Sequence, residues 1–99
     1  MTTLAHKINV INTGLTATGH EKQALAYLEQ ANQLEGEAQR EALSAARKEQ
    51  ADALQCWEGL VLLHATNPAA RARFAVEQKI SAAFLADIDE LLAPIDASR

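Results

Sequence analysis

Ala65-Thr66-Asn67-Pro68-Ala69 separates the two longest apolar periodicities of the chain, and its chemistry encodes a reversal of direction. An asparagine side chain caps the first free N–H groups of a helix, and proline suits the first helical position, where no intrahelical bond is lost. Pro68 also disfavours helical backbone at Asn67, so the preceding helix should stop near Ala65 or Thr66. Apolar stripes run from about Glu37 to Ala65 and from Pro68 to Ala93, and a connection this short folds them into an antiparallel hairpin.

Working back from the hairpin, the segment from Glu37 changes character along its length. Its first half has a weak stripe of Ala38, Ala42, Leu43, Ala45 and Ala46. Its second half carries Ala53, Leu54, Trp57, Leu60, Val61 and His64 on one broad face. Leu62 and Leu63 extend that apolar surface around the cylinder, which places the expected core near Trp57 to Leu63. The alanine-rich start is expected to project beyond the bundle or to pair closely with the helix before it.

Upstream, Leu4, Ile8, Ile11 and Leu15 recur on one helical face, with Thr2 or Thr3 as cap and Val10 off the stripe. Thr13, Gly14, Thr16, Thr18 and Gly19 are poor helix-interior residues, so the reading ends this first helix before Gly19. A second short helix follows, with Ala24, Leu25, Leu28, Ala31 and Leu34 inward and Tyr27 at the edge; Gly36 is a candidate left-handed stop. The result is an all-α antiparallel bundle of four helices, at about 3–17, 20–35, 37–65 and 68–93, in one domain over 1–99. Pro94 is expected to end the last helix and leave Ile95 to Arg99 as a frayed tail.

Composition agrees with this class. Alanine makes up about a fifth of the chain, β-branched residues are sparse, and the aromatic residues are Tyr27, Trp57, Phe74 and Phe84. A net charge of −4 argues against general affinity for nucleic acid, and no apolar run approaches a membrane span. The lone Cys56 and the absence of a signal-peptide pattern at the start make the cytoplasm the expected compartment.

No motif supports a reaction. His6, His20 and His64 lie on different segments, none with a His, Cys or carboxylate three or four residues away, so no metal ligands and no cofactor are assigned. His64 reads as a half-buried side chain with a backbone partner, and His6 and His20 as surface residues. Cys56 has no local base, and Asp87, Asp89 and Glu90 read as a solvated face. The glycines form no phosphate loop, and no period near 34 returns. The chain therefore reads as a non-enzyme.

The last helix carries Arg71, Arg73 and Lys79 in its first half and Asp87, Asp89 and Glu90 near its end, the reverse of what the helix dipole favours. One explanation is internal, with the Asp87 region level with Arg47 and Lys48 across the hairpin. The other is a second copy laid antiparallel. The leading expectation is a protein-protein interaction module of adaptor, chaperone or inhibitor type, expected as a homodimer. Its candidate partner or dimer surface comprises Val10, Leu62, Leu63, Arg71, Arg73, Asp87 and Glu90. The alternative is a small-molecule-sensing or metal-binding bundle with a pocket near Trp57 and His64, to which Cys56 and Tyr27 would contribute.

Overall fold

A computed structural model describes residues 3–98 and is all-helical, with three helices rather than four: α1 (Leu4–Asn32), α2 (Gly36–Leu63) and α3 (Pro68–Ala97). The expected break at Thr18-Gly19-His20 is absent. Thr13, Thr16 and Thr18 each donate a hydroxyl hydrogen bond to the carbonyl four residues earlier, at 2.8, 2.8 and 3.0 Å. Their side chains thus bond within the helix instead of competing with it. Ala17 and Ala24 are buried on either side of Gly19, and that tertiary packing carries α1 through residues of poor intrinsic propensity.

The corners follow the sequence more closely. Thr3 Oγ1 accepts from the His6 amide at 3.1 Å, whereas Thr2 lies outside the described residues. Gly36 has φ +62° at the turn from α1 into α2, a conformation that glycine adopts without steric cost. Gln39 Nε2 donates to the Ala31 carbonyl at 3.1 Å, which satisfies an acceptor at the end of α1. At the second corner Asn67 Oδ1 accepts from the Ala70 amide at 3.2 Å, and Pro68 is the first residue of α3. Pro94 does not end that helix, which runs on to Ala97. Proline in this last turn removes a single intrahelical bond. Beyond it Ile95 packs on the core, and the Ser98 hydroxyl bonds to the Pro94 carbonyl at 2.9 Å.

The helices form an elongated antiparallel bundle of 54 × 19 × 16 Å. α2 is central: α1 and α3 both pack along it, while their α-carbon traces nowhere come within 8 Å of each other among the described residues. The contacts follow heptad spacing. α1 turns Ala17, Ala24 and Ala31 to the interior; α2 turns Leu43, Ala46, Gln50, Ala53, Trp57 and Leu60; α3 turns Phe74, Ser81 and Ile88. A seven-residue repeat keeps one face on its neighbour along helices of this length.

Two apolar clusters result. One joins Ala31, Ala42, Leu43, Ala46, Ile88 and Leu92; the other joins Ala17, Trp57, Leu60 and Phe74. Between them, Gln50 Nε2 donates to Ser81 Oγ at 2.7 Å and to the Ser81 carbonyl at 3.2 Å, both buried. The alanine-rich start of α2 pairs closely with α1, one of the two placements expected for it. Leu62 and Leu63 do not join the core; they are 75% and 52% exposed at the end of α2. Of the opposed charges of α3, Asp89 pairs internally with Arg47, and Asp96 beyond them lies 3.9 Å from Arg40. No helix among the described residues is long and apolar enough to cross a membrane.

Candidate functional site

The large apolar residues of α1 lie on the side that α2 does not cover. Leu4, Ile8, Ile11 and Leu15 are 73, 47, 60 and 66% exposed, whereas Ala17, Ala24 and Ala31 are almost fully buried. Alanine against α2 permits close helix approach, and by helical spacing the leucine and isoleucine stripe then points toward the open side of the bundle.

α3 presents a matching stripe. Ile80, Phe84 and Leu91 are about half exposed; Phe84 and Leu91 line the flank of α3 nearest α1, and helical spacing puts Ile80 on the same face. Between the outer helices runs a groove whose floor is α2. Its middle is a recess of about 420 Å³, with Leu25 and Leu28 on one wall, Phe84 and Leu91 on the other, and Gln50 at the base. Toward the start of α3 the groove continues between Ile11 and Leu15 on one side and Arg73 and Phe74 on the other, with Trp57 as floor. Toward the other end it passes Glu29, Asn32 and Ile95.

The rim carries charge of both signs, with Lys22 and Glu77 between its two ends. α1 and α3 run parallel, with exposed Lys7 and Arg73 toward one end and exposed Glu29 and Asp87 toward the other. None of these four makes an ion pair among the described residues. The Arg73 guanidinium lies 5.4 Å from the centre of the Phe74 ring, which holds it beside the groove.

Of the surface residues expected from sequence, Val10, Arg73 and Asp87 line this groove. Val10 is half-buried against the Trp57 and Phe74 cluster. Leu62 and Leu63 are exposed but sit on α2. Arg71 and Glu90 are exposed, and their helical positions put them on other flanks of α3 from Phe84. Sequence periodicity put Leu4, Ile8, Ile11 and Leu15 on one helical face without setting which way that face points. The seven-residue recurrence of alanine from Ala17 was the signal that would have turned it outward.

The pocket expected near Trp57 and His64 is only partly assembled. Trp57 and His64 both meet the Phe74 ring, at centroid separations of 6.4 and 5.0 Å. His6 joins them edge-on to His64 at 5.6 Å. His64 is half-buried with its Nδ1 2.7 Å from the Leu60 carbonyl, the backbone partner expected for it. Tyr27 packs at the opposite end of the bundle, against the Leu43 and Ile88 cluster, and so does not reach this site. Cys56 is half-buried, and burial, with the nearby Asp52 charge, pushes its thiol above the ordinary range. That environment disfavours the thiolate a nucleophile requires.

His20 is not the isolated surface residue expected. Its Nδ1 lies 2.6 Å from Glu49 Oε2 on α2, beside Asp52. Comparison of the chain with protein-family models, curated proteins and solved structures returned no match.

Proposed function

We propose that this chain is a non-enzymatic protein-protein interaction module that associates with a second copy of itself through the groove between α1 and α3, in the manner of a small adaptor, chaperone or inhibitor. One observation carries the reading: the bundle buries alanine on α1 and leaves Ile11 and Leu15 exposed across the groove from Arg73 and Phe74, and Leu25 exposed across from Phe84 and Leu91 of α3. Water contact with that much contiguous apolar surface is unfavourable by roughly 25 cal/mol per Å², and covering it supplies a driving force for association.

A second copy suits the charge pattern. In a twofold pair the same surface appears on both sides of the interface. An antiparallel arrangement sets Lys7 and Arg73 of one copy against Asp87 and Glu29 of the other. A parallel arrangement sets like charges together. Such pairs choose the orientation more than they strengthen the complex.

Sedimentation equilibrium across the micromolar range tests this reading. The expected mass is twice the 10.7 kDa of one chain, and Leu25→Asp or Phe84→Asp should return the mass to that of one chain while helical content is retained. A wild-type chain that stays monomeric at high micromolar concentration would overturn the proposal.

A further inference from the structure

Across the α1–α2 contact, on the side of α1 opposite the groove, three side chains capable of binding metal converge. His20 comes from the middle of α1, and Glu49 and Asp52 come from the middle of α2. Each can offer a ligand atom, and these atoms all lie within 4.8 Å of one another. All three residues are partly buried, and the His20 and Glu49 side chains are 31% and 21% exposed. The setting limits the rotamer freedom of the ligands while keeping the cluster open to solvent on one side.

The electrostatics of this cluster are unbalanced. Glu49 and Asp52 are one helical turn apart, where like charges repel. Glu49 is hydrogen-bonded to His20, but no hydrogen bond or ion pair reaches Asp52 among the described residues. A cation between the carboxylates would remove the repulsion.

We propose that His20, Glu49 and Asp52 form a binding site for a divalent first-row transition ion, with zinc the best match. One imidazole nitrogen and two carboxylate oxygens are a mixed donor set that zinc accepts, and solvent completes its tetrahedral coordination. Tetrahedral bonds of about 2.0 Å put ligand atoms about 3.3 Å apart. The His20–Glu49 pair at 2.6 Å must open slightly and Asp52 must swing inward, movements within the reach of side-chain rotation. The ion replaces the proton shared by His20 and Glu49, and so substitutes a three-point clamp between α1 and α2 for a single hydrogen bond. The site is separate from the groove, so metal binding and self-association can fail independently.

Trp57 provides a reporter, because its Nε1 donates to Glu21 Oε1 at 3.1 Å, one residue along α1 from His20. Zinc added to the metal-free chain, followed by Trp57 fluorescence and calorimetry, should show one equivalent bound per chain. Cobalt substitution should give visible absorption of a tetrahedral site. His20→Ala and Asp52→Asn should each weaken zinc binding at least tenfold. Asp52→Asn conserves shape and breaks no hydrogen bond of the bundle, so it remains decisive if His20→Ala fails to fold. His6→Ala combined with His64→Ala should leave the affinity unchanged. Absence of zinc binding, affinity indifferent to both His20→Ala and Asp52→Asn, or affinity lost with His6 and His64 instead would overturn the assignment.

Discussion

Gln50 reaches from the middle of α2 to Ser81 on α3 and donates to both its hydroxyl, at 2.7 Å, and its carbonyl, at 3.2 Å. This buried pair sits between the two apolar clusters and fixes the register of α3 against α2. Ser81 lies one turn before Phe84, so the same register sets where the Phe84 ring meets the groove. Gln50→Ala removes packing and strips a buried hydroxyl of its partner, and should cost about 2–3 kcal/mol. Gln50→Leu with Ser81→Ala replaces both polar partners by apolar groups and should fall within about 1 kcal/mol of wild type. Urea unfolding of the single and double variants measures the coupling.

Neighbouring residues of α1 should respond oppositely to substitution. Ala24 is 2% exposed and Leu25 is 56% exposed. Ala24→Leu drives a large side chain into the α1–α2 contact and should destabilise the fold by about 1–3 kcal/mol. Leu25→Ala should change the stability of the isolated chain by no more than about 0.5 kcal/mol, yet weaken self-association. Thermal unfolding at low concentration, paired with sedimentation at high concentration, separates the two effects.

The orientation of the paired copies can be tested by charge reversal. Arg73→Glu should weaken the dimer by up to about 1 kcal/mol, as expected for an exposed ionic contact. Adding Asp87→Arg should restore most of that loss if the copies lie antiparallel. If the double variant is weaker than either single variant, the antiparallel arrangement is wrong.

Cys56 should be a slow thiol. Burial is the larger cause of its raised pKa and the Asp52 charge the smaller, and both oppose formation of the thiolate. Its reaction with an aromatic disulfide reagent should therefore move to higher pH than that of an unstructured thiol, and be several-fold slower near pH 8. Asp52→Asn should shift the pH profile back down. An unchanged profile would mean that burial acts alone.

Much of the backbone was legible in the sequence because its corners are local. Asn67-Pro68 carries its own cap and first turn, Gly36 its left-handed conformation, and Thr3 its bond to the His6 amide. The length of α1 was not legible. Threonine and glycine near residue 19 oppose helix in isolation, and only contact with α2 on both sides of Gly19 overrides them. Pro94 misled for a related reason, since the packing of Ile95 beyond it depends on residues distant in sequence.

Which stripe of α1 faces inward was also hidden. Periodicity weighs large apolar residues, whereas close helix approach selects small ones, and α1 carries both at helical spacing. The histidine and carboxylate cluster was invisible because His20 and Glu49 are 29 positions apart and meet only when α1 folds against α2. The Arg47–Asp89 pair, in contrast, was foreseeable to within a turn once the hairpin was placed at Asn67.

The central claim is that the outward leucine, isoleucine and phenylalanine stripes meet their counterparts on a second copy. An isotope-filtered nuclear Overhauser experiment on an equal mixture of labelled and unlabelled chain tests it most directly. Contacts between copies should join the Phe84 ring to methyl groups of Leu25, Leu15 or Leu91. Contacts between copies confined to Leu62 and Leu63, or none in a concentrated sample, would contradict the account.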